Sequence, residues 1–398
     1  MNSNGAYPQL PFTQPDVLDV APELRRLQAE RPVIQVRTPA GDLAWLVTRY
    51  DHVRALAADP RIGNSHDTPA EAPRFSESAL LGRPAVDKDA EARFSNRVRK
   101  LLTPAFTPRR VRTLQARVDE LAADLLQQMA AEGPPADFQD RFSVPLPVMV
   151  ICGLLGVPYE DYAKFREWSD IASGMADEAK AGAAFGELIS YMHPQIERKR
   201  SEPGDDVISD LVGAGEEWQL TNDDIALFAG MLLFAGHAST SIRIDFGTLL
   251  LLANPGQRDA LRRDPGLAPR AVEEIIRMTA PGDSGLTRYA NADIEIGGVT
   301  IRKGEAVLLS TAMANRDEQA FPDPDRFDVT RDPNPHLGFG HGRRFCIGAS
   351  LARAELTAVV GQLFTQLPAL RLATGIDQLW VRTDLLPGGL SGLPVTWE

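Results

Sequence analysis

The hydrophobic and polar positions of this 398-residue chain read as helix over most of its length, with strand-like alternation confined to short pieces. Residues 1–22 predict a coil, and a short helix follows from Pro22 to about Glu30. Val33-Ile-Gln-Val and Ala44-Trp-Leu-Val-Thr predict strands joined by a turn at Gly41-Asp42, and a helix covers about Tyr50 to Ala58. The stretch from Asp59 to Asp89 is rich in Pro, Gly, Ser and Asp and predicts an irregular loop, of the kind that often serves as a lid. From Ala90 onward helices dominate, with breaks expected at Pro104, Gly133-Pro134-Pro135, Gly156-Val-Pro158, Pro194 and Pro203-Gly204. The longest helix opens at the capping box Thr221-Asn-Asp-Asp224 and runs to about Ala253, ahead of Asn254-Pro255. At 1.5 Å per residue it spans on the order of 50 Å, enough to cross the molecule. A further helix covers about Pro269 to Thr279, and strand-like pieces follow at Leu286–Tyr289, Ile294–Ile296 and Val307–Ser310. The expectation is a mainly α protein with small β-sheets, folded as one domain over residues 1–398.

Composition narrows the function. Hydrophobic residues at 43% and charged residues at 24% are those of a globular protein, and a net charge of -12 without a basic tail argues against nucleic acid as partner. Two cysteines set far apart fit a reducing cytosol rather than a disulfide framework. The polar, proline-bearing stretch Met1 to Gln14 carries no apolar span or signal peptide, so a soluble, cytoplasmic protein that does not engage a membrane is expected. Six histidines show no zinc-ligand spacing.

The chemistry gathers in Phe339-Gly-His-Gly-Arg-Arg-Phe-Cys-Ile-Gly348. Cys346 stands just ahead of the helix-forming run Ala349-Ser-Leu-Ala-Arg-Ala-Glu-Leu, where backbone N–H groups and the helix dipole favour a thiolate. Glycines at 340, 342 and 348 allow tight turns and close approach to a flat partner, and two arginines add positive charge. Such a thiolate suits the axial position of a haem iron. The plain alternative is an inert cysteine in a turn. Cys152, in Val-Met-Val-Ile-Cys-Gly-Leu-Leu, reads as core.

Phe339, Gly342, Arg344, Cys346 and Gly348 resemble the haem-ligand signature F-x-x-G-x-R-x-C-x-G of the cytochrome P450 superfamily. The resemblance covers essentially the whole chain. It implies a triangular helical prism with the long helix over a noncovalent haem b, iron-ligated by Cys346 and flanked by Phe339, Gly340 and Gly348. It also implies that Glu274-Ile-Ile-Arg277 locks the core with Arg326 of Phe-Pro-Asp-Pro-Asp-Arg-Phe-Asp, and that Arg99, Arg288 and Arg344 meet the haem propionates. Relatives commonly carry histidine where this chain has Ser95, so one propionate contact is shortened or missing.

The run Ala235-Gly-His-Ala-Ser-Thr240 departs from the superfamily's A-G-x-[E/D]-T-T. By that resemblance Gly236 loosens the helix beside the iron, while Ala238 takes the place of the proton-relaying acid and Ser239 that of the threonine. Alanine relays no proton, and serine lacks the methyl that fixes a threonine rotamer. His237, Asp245 or water remain as substitutes. By matching position, Met231, Phe234, Ala235, Ser284, Leu286 and Leu386 form an apolar wall for a large hydrophobic substrate. Arg97, Lys100, Arg109, Arg110, Arg112 and Arg343 suggest a basic face that steers an acidic ferredoxin, itself reduced through an NAD(P)H reductase. An ordinary solvated face is the alternative.

The sequence looks closest to macrolide-tailoring members, and among them to the polyene macrolide group. The implied reaction inserts one oxygen atom from dioxygen into a macrolide-type polyketide during antibiotic biosynthesis. Slow delivery of the second proton favours epoxidation of a polyene or enoate double bond over C–H hydroxylation, which is the runner-up. A reading from another class is a monomeric haem-thiolate protein that binds or senses ligands without inserting oxygen. A peroxide-driven oxygenase would want an arginine–carboxylate pair on the long helix, and the sequence shows none there.

Overall fold

The structure is a computed structural model that describes residues 7–76, 78, 84–279 and 285–397. In chain order its α-helices are α1 Pro22–Glu30, α2 Tyr50–Ala58, α3 Lys88–Leu102, α4 Pro108–Glu132, α5 Pro145–Leu155, α6 Tyr162–Ala172, α7 Glu178–Ser190, α8 Met192–Ser201, α9 Val207–Gly213, α10 Gly215–Trp218, α11 Asn222–Ala253, α12 Pro255–Arg263, α13 Ala268–Met278, α14 Thr311–Ala314 and α15 Ala349–Gln366. The strands are β1 Val33–Arg37, β2 Leu43–Val47, β3 Ile62–Gly63, β4 Ala136–Asp137, β5 Leu286–Ala290, β6 Ile294–Ile296, β7 Val299–Ile301, β8 Ala306–Leu309, β9 Arg371–Leu372 and β10 Pro394–Thr396. The mainly α architecture with small sheets is therefore the observed one. Pro194 does not break a helix as expected. It lies in the first turn of α8, where the missing N–H costs nothing, and the chain breaks one turn earlier, at Tyr191.

α11 organises the helices. Thr221 Oγ1 accepts from the Asp224 N–H while Asp224 accepts from the Thr221 N–H, closing the capping box. Along its 32 residues the buried positions fall on every side, the pattern of a core helix rather than a surface one. It is long and apolar enough to cross a membrane by length and composition, but it packs against α5, α7, α8, α9, α13 and α15. A Cβ at Gly236 would come within 2.9 Å of the Ile151 side chain, so glycine here lets α5 lie directly on α11. The helix runs without interruption through Gly236, so the expected loosening is absent and the close packing is what the residue serves.

The main sheet has the order β1-β2-β8-β5-β3, with β2 and β8 parallel and the other neighbours antiparallel. Leu286 and Arg288 of β5 lie opposite Leu309 and Val307 of β8. Spaced by two, they share one face of the strand. Between β8 and α15 the chain makes a long irregular return that ends in the Cys346 loop, and α15 then packs against α4 and α13.

Candidate active site

The Cys346 loop is shaped by its own backbone. The Gly340 N–H donates to the Leu337 carbonyl (2.8 Å) and the Cys346 N–H to the Phe339 carbonyl (2.9 Å), so the chain doubles back before the sulfur. Gly342 has φ +71°, and a Cβ there would fall 2.9 Å from Ala58 Cα at the end of α2. No other residue suits that position. Phe339 is buried, with the Arg353 guanidinium 4.6 Å and that of Arg243 5.8 Å from its ring centre. Arg353 is fixed by Glu273 at 2.6 and 2.8 Å. Burial opposes ionisation of Glu273, yet hydrogen bonds from Arg353 and His336 hold it down at about 2. α15 starts three residues after Cys346, at Ala349.

Between this loop and α11 lies a cavity of about 340 Å³. Its helix wall is the stripe Leu232, Ala235, Gly236, Ser239, Thr240 and Arg243, spaced three and four apart. Cys346, Phe339, Gly340 and Gly348 form the facing wall, and Leu286 and Arg288 close one edge. The other cysteine is elsewhere: Cys152 is buried in α5, and burial pushes its thiol up to about 12.

The expected wall residues separate on this geometry. Ala235 and Leu286 line the cavity. Met231 and Phe234 fall off the helix stripe: Met231 is 36% exposed, and Phe234 packs edge-on against Phe185 of α7 at 5.8 Å. Leu386 lines a different, apolar cavity of about 190 Å³ with Leu10, Phe75 and Met175. Ser284 lies outside the described residues. Ala238 is turned away as well, toward a small polar cavity of about 70 Å³ on the opposite side of α11, which it shares with His237, Ser241 and Asp245. Burial raises Asp245 to about 7, and hydrogen bonds from Ser143 and Gln139 only partly oppose the rise.

The residues around the cavity fit a haem. A sulfur and a helix backbone face each other across it, and Arg288 lies at its edge with no carboxylate in ion-pair distance among the described residues. Burial, and then the nearby Arg344 charge, pull Arg288 down to about 10. Arg99 donates to the Phe345 carbonyl at 2.8 Å, which ties α3 to the loop. Arg344 is held by Glu91 of α3, so a propionate reaching for it meets a carboxylate already in place. Ser95, one turn from Glu91, lines a small polar recess with Arg344 and does not border the main cavity.

The core lock has a different third member from the one expected. Glu274 and Arg277 are fully buried and paired at 2.7 Å. Arg331 completes the group, 3.2 Å from Glu274, whereas the Arg326 side chain is 62% exposed and 3.8 Å from Asp328. Arg326 enters through its carbonyl, which accepts from both Arg277 and Arg331. Glu274 also accepts from the Asp328 N–H and from Asn334. Two of the cations expected on the basic face are engaged otherwise. Arg97 donates to the Trp218 and Gln219 carbonyls, and Arg110 pairs with Asp205 and Asp210.

Two groups in the cavity wall lie outside the motifs. Glu355 of α15 is 1% exposed, has one oxygen without a partner, and burial pushes its carboxyl well above the usual carboxylate range. Arg243 of α11 is the other. Its position one helical turn from Ser239 marks it as facing the same way, a signal the sequence carries.

Residues 267–367 match the family model described as Cytochrome P450. The chain is 42% identical over 398 residues to pentalenolactone synthase of Streptomyces exfoliatus, covering 98% of this chain and 99% of that protein. It is 42% identical over 398 residues to mycinamicin IV hydroxylase/epoxidase of Micromonospora griseorubida, covering 97% and 98%. Among solved structures it is similar to substrate-free cytochrome P450 PimD, a polyene macrolide antibiotic pimaricin epoxidase, with 41% identity, TM-score 0.89 and coverage of 99% and 100%. The chain belongs to the cytochrome P450 family. It is a haem-thiolate monooxygenase, using haem b ligated by a cysteine and electrons from a separate redox partner.

Proposed function

We propose that this monooxygenase transfers oxygen to an electron-rich double bond of a large, mostly apolar macrolide-type polyketide in antibiotic biosynthesis, with Cys346 as the axial thiolate. Arg288 meets a propionate directly, whereas Arg344 does so only by releasing Glu91 and Arg99 only by releasing the Phe345 carbonyl. Bound haem supplies dioxygen activation, which consumes two electrons and two protons. The chain must supply shape, orientation and protons. The observation that carries the reading is the helix wall: α11 presents Ser239 and Thr240 to the cavity and no carboxylate. Ser239 Oγ is engaged with the Ala235 carbonyl at 3.3 Å, a long bond that a rotation can exchange for a donor role. Sparse proton delivery suits attack on an alkene better than cleavage of an unactivated C–H bond. The names of the similar proteins, a hydroxylase/epoxidase and an epoxidase, support the substrate class.

Glu355 is the observation that favours the second reading, C–H hydroxylation, since a neutral acid in the wall can hold a proton for the reaction. The two separate in the variant Ser239→Asp, which puts a carboxylate on the stripe that lines the cavity, assayed on polyene and saturated macrolactones with a ferredoxin system. Products should shift from epoxide toward alcohol, or the fraction of electrons lost to peroxide should change. Glu355→Gln should leave epoxidation largely intact. A wild type that hydroxylates saturated carbon and leaves every alkene untouched would overturn the epoxidase reading.

We assign the electron donor to an acidic ferredoxin. Lys100, Arg109, Arg112 and Arg343 are exposed around the α3–α4 junction and the loop, and such a cluster steers an acidic partner. The protein on this reading is a cytoplasmic monomer.

A further inference from the structure

Cations drawn into this protein generally have a carboxylate partner. Arg277 meets Glu274 at 2.7 Å, Arg316 meets Asp325 at 3.0 Å, and Lys199 meets Asp206 at 2.6 Å. Among the described residues, two cavity-lining arginines have no carboxylate in ion-pair distance: Arg288 and Arg243. The propionates account for Arg288 in the reading above. Arg243 stands apart from it, on the long helix.

Arg243 is fixed on both sides of the cavity. Nη1 donates to the Ser239 carbonyl of its own helix at 3.0 Å, and Nη2 donates to the Gly338 carbonyl at 2.8 Å. Gly338 precedes Phe339, whose carbonyl accepts from the Cys346 N–H, so Arg243 grips the root of the thiolate loop. Its Nε is shut off from solvent and has no partner. Desolvation presses its guanidinium below the ordinary arginine range, and the opposing influence comes from the sulfur of Cys346, which lines the same cavity. A guanidinium keeps its charge under such pressure.

We propose that Arg243 is the counter-cation of the Cys346 thiolate, a fixed positive charge that stabilises the reduced haem and raises its reduction potential. Reduction adds one electron from the redox partner to the iron and leaves the haem–thiolate unit more negative by one charge. A cation fixed in the same cavity wall and bonded to the root of the thiolate loop stabilises that added charge, as charge and hydrogen bonding around a ligating sulfur generally do. Arg243 thus acts through the ligand as a positioning and tuning residue. The inference rests on Cys346 being the ligand.

The test is spectroelectrochemical titration of haem-loaded wild type, Arg243→Met and Arg243→Lys, with the reduced carbon monoxide spectrum recorded for each. At a fixed applied potential, Arg243→Met should show an about tenfold lower ratio of reduced to oxidised protein, equivalent to about 59 mV for a one-electron couple. Arg243→Lys should recover most of the difference, because it keeps the charge. Both should keep the red-shifted Soret band of a thiolate-ligated complex. An unchanged ratio in Arg243→Met, or an equal fall in Arg243→Lys, overturns the proposal. If Arg243→Met fails to hold haem, Arg243→Gln keeps a donor for Gly338 and drops the charge, and the same criteria apply. A wild type without the thiolate Soret band would instead refute the ligand assignment.

Discussion

Arg277 ends α13 inside a shell of its own chain. Glu274 takes two of its N–H groups, and the carbonyls of Asn315, Pro324 and Arg326 take others. Arg243, on the neighbouring α11, has two carbonyls, an aromatic face and no carboxylate. Arg277 is fully buried and Arg243 is half-buried in the cavity wall, and an unbalanced charge out of water costs several kcal/mol. The difference is where the balancing charge comes from. For Arg277 it is covalently part of the protein and present as soon as the chain folds. For Arg243 it is a cysteine whose ionisation belongs to cofactor binding. One cation therefore serves folding and the other serves chemistry.

The largest effect should come from breaking the self-contained cluster. Glu274→Ala or Arg277→Ala leaves a partner charged and unpaired, a loss on the order of 3–5 kcal/mol, and should give insoluble or haem-free protein. Arg331→Ala should cost less, because Glu274 and Arg277 still pair. Arg326→Ala should change denaturation by no more than roughly 0.5 kcal/mol, since its side chain is at the surface and its carbonyl survives. Normal solubility and haem content in both Glu274→Ala and Arg277→Ala would erase the contrast between the two arginines.

Next in size is the thiolate itself. Cys346→Ala should lose the red-shifted Soret band of the reduced carbon monoxide complex, while Cys152→Ala should keep it, being a core thiol with no access to the cavity. A thiolate spectrum retained in Cys346→Ala would remove the anion that Arg243 is assigned to balance.

The smallest effect sharpens the comparison from the acid side of α11. Asp245 is buried, and the hydrogen bonds from Ser143 and Gln139 together with the Arg166 charge only partly offset the cost of ionising it, so a proton balances it instead. Its folded value of about 7 lies above the ordinary 3.8, so the fold binds the proton more tightly than the unfolded chain. Its stabilising contribution is complete below about pH 4 and is lost as pH rises toward and through 7, at up to roughly 1.4 kcal/mol per unit. Asp245→Asn should flatten that slope in denaturation curves measured from pH 4 to 8. An unchanged slope would mean that the carboxyl is charged in the fold.

Elements whose ends are set by local chemistry were legible in the sequence. α1 and α2 occupy Pro22–Glu30 and Tyr50–Ala58 as expected, and the Thr221 capping box starts α11 where it should. These boundaries depend on proline placement and capping, which neighbouring residues decide. The side chains that were misplaced depend on which way a known backbone faces. Met231, Phe234 and Ala238 miss the cavity because the helix stripe selects 232, 235, 236, 239, 240 and 243. Arg331 replaces Arg326 because a loop without periodicity decides which arginine turns inward. Leu386 sits beside a second cavity assembled from segments far apart in sequence, including Leu10, Phe75 and Met175. Arg243 shares the facing of Ser239 by helical spacing, but nothing local to Glu91 or Glu355 distinguishes a half-buried or interior charge from a solvated one.

The contact between Gly236 and Ile151 limits how this enzyme can be re-engineered. With α5 lying on α11 there, a side chain at 236 would first have to displace the Ile151 side chain, so that position offers no gradual route to a new product. Ala235 and Ser239 lie on the same helix stripe, are small, and point into open cavity rather than into a neighbour. Variation in substrate size should therefore be sought in those two residues, each able to grow by single atoms while the scaffold behind them stays still.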